Sequence, residues 1–202
     1  KHLSHGSLMN IGGDHNISTA TVCATLHHNK QTKFIWINSN DKPLCENIPI
    51  SYLSGLSRPP KNSIEYLKNT ISPHNLFYIG LKDSNIQLQN QLETNSIKYL
   101  HNGSLNYNIY HSISEISAFI GINDPIYISI DLNIIDKLNK PHPLTDAIHI
   151  NSLRILLNSL LSRHHILNMD ISNLSLGRNN LENYQQFDNF QTLFEQYFTC
   201  IS

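Results

Sequence analysis

Short apolar runs alternate with segments of helical spacing along most of the chain. Near the start, Met9-Asn10-Ile11 leads into Gly12-Gly13-Asp14-His15-Asn16 and then Ile17-Ser18-Thr19-Ala20-Thr21-Val22. That order predicts a buried strand, a tight turn and a helix over residues 18–28. Phe34-Ile35-Trp36-Ile37 is a continuous apolar run of the kind found in strands covered on both faces, and the polar stretch 38–43 after it is loop. Residues 48–56 predict a short helix, and Arg58-Pro59-Pro60-Lys61 breaks the chain. Leu76-Phe77-Tyr78-Ile79-Gly80 predicts a third strand, Leu88 and Leu92 a helix, and Ile97-Lys98-Tyr99-Leu100 a fourth strand. Ile109, Ile113, Ile116 and Ile120 recur at helical spacing. Residues 126–131 give the clearest strand, residues 153–161 a helix and residues 166–171 a last strand. Phe187, Phe190, Phe194, Tyr197 and Phe198 form the apolar face of a closing helix. Repeated β-then-α units predict an α/β fold with a mostly parallel sheet. With no internal repeat, linker or composition break, residues 1–202 read as one domain.

Composition narrows the function classes. The net charge is −1, with 14% charged residues. Nothing in that balance would draw the chain to nucleic acid or to an anionic membrane. Three widely spaced cysteines, Cys23, Cys45 and Cys200, suit a reducing compartment without a disulfide framework, so the cytoplasm is the expected location. No apolar run approaches membrane-spanning length. About one residue in eight is Asn, so single Asn positions carry little weight by themselves. The turn 12–15 places an imidazole at the carboxyl end of a parallel sheet, where such folds bind ligands. Taken alone, a histidine there is more often structural than a ligand.

Several strand ends share one pattern. Gly12-Gly13-Asp14-His15, Trp36-Ile37 entering a polar loop, Tyr78-Ile79-Gly80-Leu81-Lys82-Asp83 and Ser129-Ile130-Asp131 together resemble the ureohydrolases: arginase, agmatinase and formiminoglutamase. The order and spacing run over essentially the whole chain. The resemblance implies a three-layer, arginase-like sandwich lacking the first βαβ portion. It also implies a two-manganese centre whose bridging water attacks a guanidinium carbon and releases urea. Six ligands serve that centre in the family: a His in Gly-Gly-Asp-His, an Asp-x-His-x-Asp after the Trp strand, and an Asp-x-Asp after the Ser strand.

Carried over residue by residue, the ligand set is depleted. His15 matches the first ligand and Asp131 matches the first acid of the last pair, but its partner position is Asn133. Asn38, Asn40 and Lys42 stand where Asp, His and Asp are expected. The family's second-loop His falls near Glu46, and its late Glu falls at Asn173 or, with a two-residue slip, at Ile171. Asp83 and Asn85 cover the two positions that hold the substrate's amino group in the family. The loop that holds its carboxylate is largely deleted between Lys42 and Leu44.

Charge decides what this set predicts. One negative charge on Asp131 and one positive on Lys42 leave the ligand positions about neutral, where two divalent cations need several anionic oxygens. The expectation is a catalytically inactive family member without a metal cofactor, kept as a binding or assembly scaffold. A residual hydrolase of a guanidino or formimino compound, with Mn2+ on His15 and Asp131, is the alternative. Further copies of the chain or an active relative are the expected partners, together with a small-molecule ligand. Lys42 is expected to fill the vacated metal position and pair with Asp131.

Overall fold

The computed structural model describes residues 7–38, 49–57, 70–135, 147–174, 188 and 190–194. Six strands form one sheet: β1 (Leu8–Ile11), β2 (Lys33–Ile37), β3 (Leu76–Leu81), β4 (Lys98–His101), β5 (Ile126–Asp131) and β6 (Ile166–Ser172). Their order is β1-β6-β5-β2-β3-β4. Every pairing is parallel, with Trp36 opposite Ser129 on β5 and opposite Tyr78 on β3. The sheet is therefore wholly parallel among the described strands, where the sequence predicts only a mostly parallel one. Strands β3 and β5 are buried at every position, as expected of strands covered on both faces.

Among the described residues, helices α1 (Ser18–His28), α2 (Ile50–Leu53), α3 (Ile86–Thr94), α4 (Asn102–Tyr107), α5 (Ile109–Ile120) and α6 (Ile150–Arg163) supply those covers. Residues of α1, α2 and α3 share one core cluster with Phe34, Trp36, Tyr78 and Tyr127. On the opposite face, residues of α4, α5 and α6 pack with Ile35, Ile37, Phe77, Ile79, Ile128 and Ile130. The alternation along β2 assigns each side chain to its layer. Leu193 and Phe194 are fully buried in the second cluster, with Phe190 packed against it. Phe187, Tyr197 and Phe198 lie outside the described residues.

The helix predicted over 153–161 extends to Ile150–Arg163, where the His149 ring accepts from the Asn151 N–H at its first turn. Of the helix predicted over 48–56, residues 50–53 are helical and residue 48 is not among those described. Helix α4 has no counterpart in the sequence reading. Its Asn-Gly-Ser start has poor helix propensity. Leu105 is buried in the core, while the Asn106 side chain donates to the Ala147 carbonyl (3.0 Å) and accepts from the His149 N–H (2.9 Å). Tertiary contacts hold this helix where local preference would not.

One glycine is required by the sheet itself. Gly80, at an irregularity between β3 and β4, has φ +112°. A Cβ there would lie 2.4 Å from both the Asn38 carbonyl oxygen and Ile134 Cδ1. The close approach brings the end of β2 against the turn that follows β5.

Candidate functional site

The chain passes outward from β2 through β3 to β4, then returns to β5 on the other side of β2. Strand order thus reverses around β2, and the carboxyl ends of β2 and β5 frame the crevice where open α/β sheets place ligands. His15, Asn38 and Asp131 all lie at this edge.

Asp14 accepts from the Asn16 backbone N–H and the Asn16 side-chain amide, each at 3.0 Å, and so starts a single 3-10 turn over His15–Ile17. That turn directs His15 inward, where 8% of it is exposed. Its ring stacks on Trp36 with centroids 4.4 Å apart and planes 10° from parallel. His15 Nε2 hydrogen-bonds Ser129 Oγ at 2.7 Å, and Ser129 Oγ meets Ser18 Oγ at 2.8 Å. His15 Nδ1 is buried without a hydrogen-bond partner and lies 3.8 Å from Asp131 Oδ2, beyond hydrogen-bond reach. Burial lowers the imidazole pKa to about 4, against a smaller upward pull from Asp131, Asp170 and Asp14. At neutral pH the ring is uncharged.

Asp131 ends β5 and caps the 3-10 turn Leu132–Ile134. Its Oδ1 accepts from the Asn133 backbone N–H at 2.9 Å and from Asn173 Nδ2 at 2.8 Å. Asn173 follows β6 with φ +60°, and its N–H donates to the Gly13 carbonyl at 2.5 Å. This one residue therefore ties Asp131 to the turn that carries His15. Asn133 itself is exposed. Asn38, 4% exposed, is one step past the Ile37–Ile130 register pair, beside Asp131. Asn40 and Lys42 lie outside the described residues, so the expected Lys42–Asp131 pair does as well.

The positions matched to an amino-holding pair are engaged locally. Asp83 Oδ1 lies 2.8 Å from His101 Nδ1, a close contact without hydrogen-bond angles. Asn85 accepts from the Leu88 N–H at 3.0 Å and caps α3. Below the crevice, fully buried Asp170 accepts from Asn10 Nδ2 (2.7 Å), Thr21 Oγ1 (2.5 Å) and the Tyr127 hydroxyl. Those three donors anchor β1 and α1 to the sheet, and the phenol pKa of Tyr127 is raised by burial and by Asp170.

These donors do not match the needs of two divalent cations. His15 and Asp131 bring one imidazole and one carboxylate, and Oδ1 of that carboxylate is already taken by the Asn173 amide. Among the described residues, no three His, Cys, Asp or Glu side chains are grouped to hold a metal ion. In the sequence Asn173 stands only where an acid is lost, and its donor role is not visible there. Nor are the His15–Trp36 stack and the serine pair beneath it. The nearest signal for the first is an amide at the end of a strand beside an ionised carboxylate.

A family model for the arginase family matches residues 1–175 of this sequence. The chain belongs to the arginase family. It is 26% identical to the arginase of Coccidioides immitis over 155 residues, covering 67% of this chain and 48% of that one. With the arginase of Plasmodium berghei it shares 25% over 181 residues, 81% of this chain and 51% of that one. The chain thus spans about half the length of these arginases. Its fold matches the Entamoeba histolytica arginase solved with L-ornithine, with TM-score 0.74 and 17% identity over 94% of this chain and 69% of that one. The Bacillus caldovelox arginase gives TM-score 0.73 at 17% identity, over 92% of this chain and 68% of that one.

Proposed function

We propose that this member of the arginase family retains the arginase scaffold without a two-manganese hydrolytic centre and serves in binding or assembly. The observation that carries this reading is the set of groups around Asp131. A single carboxylate there accepts from two neutral N–H donors, with Asn38 beside it and an uncharged imidazole 3.8 Å away. A bridging water between two cations is activated by their combined charge. One carboxylate and one imidazole cannot balance four positive charges.

The same geometry gives a second reading its specific support. His15 Nδ1 and Asp131 Oδ2 face each other at 3.8 Å, and the nitrogen has no hydrogen-bond partner. A single ion between them would make a residual hydrolase of a guanidino or formimino compound, and the curated relatives are arginases. Metal analysis and urea assays separate the two. The expected outcome for the full chain, dialysed after exposure to Mn2+, is less than one retained equivalent and no urea released from L-arginine or agmatine. Two equivalents of manganese, or urea release above a metal-stripped control, would overturn the inactive reading.

A further inference from the structure

We infer that the Asn173 amide takes a cation's place at Asp131, satisfying the carboxylate without a metal. The inference rests on the metal-free reading above and names the group that satisfies Asp131 within it.

The geometry is specific. An ionised carboxylate only accepts hydrogen bonds, so the atom that Asn173 presents to it is the amide nitrogen. The bond is 2.8 Å long. The residue is also fixed by its backbone. Its N–H is bonded to the Gly13 carbonyl, and its φ of +60° is one that Asn tolerates better than most side chains. The side chain is thereby aimed at Asp131 from the end of β6. A buried carboxylate needs partners of positive character. Here the amide and the Asn133 N–H supply them without any net charge.

Position 173 is also the place where one substitution would complete a metal-ligand set. His15 Nδ1 and Asp131 Oδ2 are two donors, and protein metal sites generally begin at three. Asn173→Asp keeps the side-chain length and the tolerance of the left-handed backbone, and it turns the donor into an anionic acceptor in contact with Asp131. The two carboxylates then repel unless a cation joins them.

The experiment uses thermal melting of the full chain in chelator and then with Mn2+. In chelator, Asn173→Asp is expected to melt roughly 5–10 °C below Asn173→Gly, which removes the amide without adding charge. Mn2+ is expected to restore most of that loss and to leave Asn173→Gly and the unaltered chain unmoved. The paired exchange of Asn173→Asp with Asp131→Asn swaps donor for acceptor, and it is expected to melt near the unaltered chain without metal. A metal-insensitive Asn173→Asp beside a metal-insensitive unaltered chain would overturn the role given to the amide. So would failure of the paired exchange to recover stability. A rise in melting temperature of the unaltered chain on Mn2+ would instead overturn the proposed function.

Discussion

His15 keeps its position and stays neutral because the ring is held from three directions. Trp36 covers one face, Ser129 takes Nε2, and the 3-10 turn fixes the backbone. A group whose folded pKa lies near 4 against an ordinary 6.5 takes up its proton first in the unfolded chain. The linkage sign follows: ν is larger for the unfolded state between these values, so stability falls as the pH drops through that window. In chelator, the unaltered protein is expected to lose about 3 kcal/mol more than His15→Gln between pH 7 and pH 4, measured by urea denaturation. Parallel losses in both proteins would refute the neutral, desolvated ring. The sequence made His15 and Asp131 legible as facing residues, because one follows and the other ends a strand at the same sheet edge. Their hydrogen-bond partners were not legible. Whether Asn173 is a weak ligand or a donor depends on its left-handed backbone, which appears only in three dimensions.

Among the elements, strands were read more sharply than helices. The runs at 34–37, 76–80 and 126–131 lie within strands β2, β3 and β5 because burial on both faces makes such strands nearly continuous apolar runs. Helix α4 escaped because its six residues carry one core side chain, Leu105, too few to show a period. Asn85 illustrates the opposite case. Family resemblance assigns it a substrate-binding position, while the local pattern of Asn before Ile86, Leu88 and Leu92 is that of a helix cap, and it caps α3. Gly80 couples elements on both sides of the crevice, since any Cβ would strike the carbonyl after β2 and the side chain of Ile134. Gly80→Ala is expected to cost about 3 kcal/mol or more in chemical denaturation, well beyond the loss of conformational freedom alone. A cost below about 1 kcal/mol would show that the β2 and β5 ends are not packed this tightly.

At the scale of the molecule, the sheet leaves β1 and β4 at its edges, and Leu8 and Ile11 on β1 are 51% and 47% exposed. On the far helical layer Tyr107 and Tyr110 are also exposed, at 65% and 77%. No described helix is long and apolar enough to cross a membrane. A scaffold that acts through assembly has a mass that rises with concentration. Sedimentation of the purified chain is expected to show that rise, and a single monomer mass across the accessible range would refute self-assembly. Fold class was legible from strand and helix alternation alone. The strand order was not, since it depends on which distant runs meet.

That order also sets a schedule. Strand β1 pairs with β6 alone among the described strands, with Leu8 opposite Asn168 and Ile11 opposite Ile171. On a ribosome adding about 5–20 residues per second, β1 waits on the order of 10–30 s for β6 to be made. During that interval neither the Gly13 carbonyl nor Asp131 has Asn173 to meet. The crevice is assembled only when β6 and the residue after it close on β1 and the turn that follows it.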